Sequence, residues 1–303
     1  LFEKYREEHD DSTVSNSFSA AKTVVSMLIG IAIEEGLIKS IDEPVGNYIE
    51  EFKTEEKNHI TIRHLLYMAS GLEWSESGAN PLSHNAQSYY GKDLRRLILG
   101  LKPITNPNEL FLYQSGNSQL LGFVLEKATG MRISEYASRR LWRKIGAEDN
   151  AFWSLDRKNG NEKAFCCLYA TARDFGKLGQ LMCEKGSWGE KTIISKEYFE
   201  EMIKAPQLKT EEGVPNTRYG LHVWLYHDPE LNTQIVYCRG ILGQYIVSIP
   251  EHNLVFVRLG HRRLESVMPE DLQLSKYDES MIGHPKDFFD NLKLAKRIGL
   301  QEY

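Results

Sequence analysis

The sequence predicts an α+β fold, with an antiparallel sheet flanked by helices and a second, all-helical part. Three observations lead there. Helical periodicity with caps and terminal glycines runs from about Phe18 to Gly186. Short aromatic and β-branched runs replace it after Trp188. The connectors between those runs are turn-sized and leave no room for crossover helices. With 303 residues the chain is long enough to bury a sizeable core as one large domain or two.

Leu1 to Tyr5 reads as strand, and the chain reads as cut at its N-terminus, so any export signal would lie outside it. In FSAAKTVVSMLIGIAIEEG, apolar side chains at Ala21, Val24, Val25, Leu28, Ile29 and Ala32 before Gly36 make a long, mostly buried helix. Cap, amphipathic run and closing glycine recur at Thr61 to Ala69, Ser118 to Ala128, Ser134 to Lys144 and Thr171 to Lys185. YGLHVWLY from Tyr219, QIVYC from Gln234, QYIVSI from Gln244 and LVFVRL from Leu254 read as strands. Pro250 to Asn253 is too short for a crossover, so the last two pair antiparallel. A helix from Pro285 to Arg297 covers one face. The expected division is a helical domain over residues 17–187 and an α/β domain made of residues 1–16 and 188–303.

Composition narrows the function classes. Hydrophobic residues at 41% and charged residues at 26% exclude wholesale disorder. Lys plus Arg at 37 against Asp plus Glu at 42 gives a net charge of −5 and no reason to expect a nucleic acid partner. The apolar run from Val24 to Ile33 is too short to cross a bilayer. Cys166, Cys167, Cys183 and Cys238 show no CxxC spacing. The neighbours Cys166 and Cys167 are expected to be small buried packers, since adjacency is a poor arrangement for a shared disulfide or a chelate. His59 and His64, five apart, read as surface or packing residues, and no metal or cofactor is expected.

Ser19 and Lys22 form an S-x-x-K at the first turn of the buried helix. Three residues is one turn, so hydroxyl and amine project from the same face. A serine hydroxyl needs an adjacent base, and a lysine serves as one when burial or nearby positive charge disfavours its ammonium. The helix N-terminus adds unpaired N–H groups and a positive dipole end. The motif alone arises about once by chance in a chain of this size, and a Ser near an N-cap with a solvated Lys is the plain alternative. Placement on an otherwise apolar helix argues against that alternative. Tyr113, in FLYQSGNSQLLGFVLEKATG, offers a phenol that can relay the proton to a leaving group, or is an ordinary core tyrosine. Trp74 is a candidate pocket wall or a core residue.

These segments, together with TIRHLLYMASGLEW, LYATARDFGKLGQLM and RGILGQYIVSIPEHNLVFVRLG, resemble in order and spacing the serine β-lactamase and penicillin-binding-protein superfamily. The likeness is to its class C side with the esterase and 6-aminohexanoate-dimer hydrolase relatives. It implies Ser19 as acylated nucleophile, Lys22 as general base and Tyr113 as proton relay. Oxyanion-hole N–H groups would come from Ser19 and Ile241. Substrate-binding positions would be Ser115, where many relatives have Asn, and Cys238, Arg239 and Gly240, where they have Lys-Thr-Gly or His-x-Gly. The implied activity is a cofactor-free serine hydrolase of small esters or amides. The alternatives are a D,D-peptidase or β-lactamase, or a non-catalytic binding relative. The relatives are commonly exported, which implies a periplasmic or secreted location.

Overall fold

A computed structural model describes residues 1–6 and 8–300. Chain order runs β1 (Ser15–Asn16), α1 (Ala21–Glu34), α2 (Ile62–Leu66), α3 (His84–Tyr90), α4 (Leu94–Leu99), α5 (Ser115–Thr129) and α6 (Ile133–Ala137). It continues with β2 (Phe152–Trp153), β3 (Leu168–Ala170), α7 (Ala172–Cys183), β4 (Ser187–Trp188), β5 (Lys191–Thr192) and α8 (Lys196–Met202). The end of the chain holds β6 (Trp224–Asp228), β7 (Thr233–Gly240), β8 (Gln244–Ile249), β9 (Leu254–Arg258) and α9 (Lys286–Gly299). No helix among the described residues is long and apolar enough to cross a membrane.

The four-stranded sheet β6-β7-β8-β9 is antiparallel throughout, with Cys238 opposite Ile246 and Ser248 opposite Val255. Side chains alternate between two covered faces. One face meets α9, where Phe288 stacks on Tyr237 at 4.4 Å between ring centres. The other meets α7, whose Gly179 carbonyl accepts from Ser248 Oγ, and the start of α1. Helix α1 is buried on every side from Ala21 to Ala32, so it is held by packing more than by amphipathic contrast. Its Gly30 faces Tyr198 of α8, and a Cβ there would come within 2.5 Å of the ring. The Tyr198 hydroxyl donates to the Ser26 carbonyl at 2.8 Å, fixing the same helix a turn earlier.

Several boundaries differ from expectation for local reasons. Leu1 to Arg6 form no strand; Glu3 is tied to Arg173 at 2.8 Å instead. Helix α2 stops at Leu66 because Met68 turns left-handed, with φ 57°. Helix α6 widens into a π turn over Ser138–Trp142. The run from Tyr219 becomes strand only at Trp224, because His222 has φ 56° and the Gly220 N–H turns back to the Val223 carbonyl. Cys166 and Cys167 are joined to each other by a disulfide, contrary to the packing role expected for them. Adjacent cysteines can close because Cys167 has φ 65°, a backbone state that residue identity alone does not announce.

Candidate active site

The turn Ser17–Ala20 delivers Ser19 to the start of α1. Within it Phe18 has φ 46°, a left-handed conformation costly for a bulky residue, and its N–H donates to Asn16 Oδ1 at 2.8 Å. One turn on, Lys22 Nζ donates to Ser19 Oγ at 3.0 Å and to the Phe165 carbonyl at 2.7 Å. The lysine is 1% exposed. Its hydrogen-bond partners among the described residues are thus a hydroxyl and a carbonyl, neither of which neutralises an ammonium. In the neutral amine, an N–H given to Phe165 leaves the lone pair free to meet the serine proton.

Tyr113 joins them ring-first. Lys22 Nζ lies 5.1 Å from the centre of the Tyr113 ring. The ring packs on Tyr219 and Trp224, each 5.7 Å away between centres. No hydrogen bond among the described residues links its hydroxyl to Ser19 or Lys22, so a direct relay requires the phenol to move. Beneath the cluster His222 sits 1% exposed between Ser118 Oγ and the Leu66 carbonyl, both at 2.8 Å. Burial, with Lys22 nearby, pushes its imidazole down to about 3, which keeps it neutral.

The remaining expected positions divide. Gly240 ends β7 where a Cβ would collide with the Ser17 carbonyl oxygen, so the close approach it allows is that of the Ser17–Ala20 turn itself. Ile241 follows on the exposed β7–β8 turn, its carbonyl accepting from Gln244 Nε2 at 3.2 Å. Arg239 lies on the α9 face of the sheet, its guanidinium 3.4 Å from the Trp224 ring centre and donating to the Gly283 carbonyl. Burial there disfavours its charged form. Cys238 points the other way, its Sγ 4.0 Å from Met182 Sδ, with a thiol pushed up to about 12 by burial. It packs the core rather than the cleft.

Ser115 is 2% exposed and committed to Glu76, to which it donates its hydroxyl at 2.6 Å and its N–H at 2.9 Å. The same carboxylate accepts from Trp74 Nε1, and Trp74 lies against Gly116 and stacks on His84. An anionic cap on a 15-residue helix contributes about 0.3–1 kcal/mol. It also explains why α5 starts three residues before the serine that sequence marks as its cap. Asn117 points into the core, accepting from Ser70 Oγ at 2.7 Å, and so does not stand in for the amide missing at Ser115. Sequence reasoning missed Glu76, the Phe165 carbonyl and His222. The nearest signal was the Gly71–Trp74 stretch just ahead of Glu76.

Comparison with known proteins bears on family and fold. The Beta-lactamase family model matches residues 3–274. A 6-aminohexanoate-dimer hydrolase of Paenarthrobacter ureafaciens is 24% identical over 258 residues, which cover 80% of this chain and 64% of that protein. The chain therefore spans less than two thirds of that curated relative. Among solved structures, a Bacillus anthracis protein provisionally given the same hydrolase name superposes with a TM-score of 0.78 at 21% identity, covering 98% of this chain and 76% of its own. A family VIII carboxylesterase gives 0.69 at 17%, covering 94% and 84%. A penicillin-binding protein homologue from Pyrococcus abyssi gives 0.62 at 22%, covering 90% and 68%. These likenesses place the fold.

Proposed function

The chain belongs to the Beta-lactamase family, and from that premise we propose that it is a serine hydrolase that cleaves small esters or amides through an acyl-enzyme. The observation that carries the reading is the buried pair, Lys22 Nζ 3.0 Å from Ser19 Oγ. Lys22 as neutral amine takes the serine proton while Phe165 holds its other N–H. The serine oxygen attacks the substrate carbonyl, and the N–H groups of Ser19 and Ile241 stabilise the oxyanion. Tyr113 protonates the leaving group, and water then releases the acyl group by the same steps in reverse order. Arg239, stacked on the Trp224 ring that also packs against Tyr113, is a cation this reading offers to a substrate.

Intact-mass detection of adducts tests this. A fluorophosphonate and a panel of activated esters should each add one group to the wild type and none to Ser19→Ala. Equal labelling of the variant removes the assignment. A long-lived adduct with a penicillin, absent with esters, would move the substrate class to β-lactams and D-Ala-type peptides.

A further inference from the structure

The segment Phe165–Leu168 spends four consecutive backbone carbonyls on fixed partners. The outer two hold the catalytic pieces: Phe165 O accepts from Lys22 Nζ at 2.7 Å, and Leu168 O accepts from the Ser17 N–H at 2.8 Å. The inner two face the wall behind them, Cys166 O accepting from Trp153 Nε1 at 2.9 Å and Cys167 O from the Ser154 N–H at 3.1 Å. Between the outer pair lies the Cys166–Cys167 disulfide, 0% and 5% exposed. It ties neighbouring side chains into an eight-membered ring around their shared peptide.

We propose that this disulfide is a positioning element for the base, and that opening it slows acylation of Ser19. The inference rests on the hydrolase reading above.

The reasoning is mechanical. Cys167 has φ 65°, a conformation an L-residue leaves readily when nothing holds it. The ring holds it. Once the ring opens, Cys167 can relax toward ordinary backbone angles, and the peptide planes on either side must rotate. The Phe165 carbonyl then turns relative to Lys22, and with it the direction of the amine lone pair toward the serine hydroxyl. Misalignment at a proton-transfer pair is expensive, so a shift well under an ångström is enough to be measured. Opening is a balanced two-electron step: a dithiol such as dithiothreitol gives two electrons and two protons, two cysteine thiols form, and the dithiol closes to its cyclic disulfide.

The test begins with a thiol count, which does not depend on activity. Cys183 and Cys238 are the free cysteines, both buried. Denatured but unreduced protein should therefore show two thiols to an aromatic disulfide reagent, and four after reduction; four before reduction overturns the proposal. Single-turnover acylation by an activated ester is then measured on oxidised wild type, reduced wild type and Cys166→Ser/Cys167→Ser. The last two should acylate at least about tenfold more slowly with unchanged substrate binding. Reoxidation should restore the wild type, while the double variant should be indifferent to reductant. Thermal melts of all three separate this from loss of fold, and reduced wild type answers if the variant does not fold. Equal acylation rates with four thiols counted overturn the positioning role alone. Oxidised wild type that acylates no better than Ser19→Ala overturns the hydrolase reading, and the proposal falls with it.

Discussion

Gly240 and Ser17 meet backbone to backbone: the end of β7 is pressed so closely on the Ser17–Ala20 turn that any side chain at 240 would strike the Ser17 carbonyl oxygen. The nearest of the atoms it would meet is backbone, which cannot step aside as a side chain could. Gly240→Ala should therefore separate Ser19 from the Ile241 turn, costing about 1–3 kcal/mol of stability and more than tenfold in kcat/KM. Urea denaturation and ester turnover measure both. A variant as active and as stable as wild type would show that the two turns of the proposed oxyanion site are not mutually positioned.

If Lys22 is the base of the proposed mechanism, its buried amine serves chemistry rather than stability. Lys22→Met fills a similar volume without a buried amine to desolvate, leaving the Phe165 carbonyl and the Ser19 hydroxyl without that donor. Turnover should fall at least about a thousandfold, while the melting temperature stays level or rises. A large drop in melting temperature would mean that the amine is structural.

Glu76 collects three donors at the head of α5. Glu76→Ala should cost about 1 kcal/mol, and Glu76→Gln less, since an amide oxygen can keep part of the set. Tyr113 precedes that helix start by two residues, so loosening it should slow substrates whose leaving group needs a proton more than it slows p-nitrophenyl esters, which need none. The comparison is kcat for matched alkyl amides and p-nitrophenyl esters; a uniform effect would confine Glu76 to stability.

Acid should weaken the fold through His222. Its imidazole titrates at about 3 when folded and near 6.5 when unfolded, so below 6.5 the unfolded chain binds the extra proton. The stabilising contribution is complete above pH 6.5 and declines toward pH 3, by at most about 1.4 kcal/mol per pH unit. His222→Asn, tolerable at φ 56°, removes the titration. Urea midpoints between pH 4 and 7 should be flatter for the variant than for wild type.

What sequence made legible follows from distance along the chain. Ser19 and Lys22 are one helical turn apart, so the 3.6-residue period was enough to join them, and strand alternation was enough to send Cys238 and Arg239 to opposite faces. Glu76 reaches Ser115 across 39 residues, and Phe165 reaches Lys22 across 143, with no period to connect them. The disulfide was misjudged for a third reason. Its closure goes with the left-handed turn at Cys167, which the two letters do not reveal.

Tyr198 seats its ring in the notch at Gly30, more than two turns beyond Lys22 on the same rod of backbone. That makes α8 a remote tuning handle. A methyl added at Gly30 must push either the tyrosine outward or the whole rod lengthwise, and the second response carries Ser19, the proposed nucleophile, with it. Variation in a region that never meets substrate can therefore set reactivity, and directed evolution of this scaffold has reason to sample the α1–α8 seam as well as the cleft.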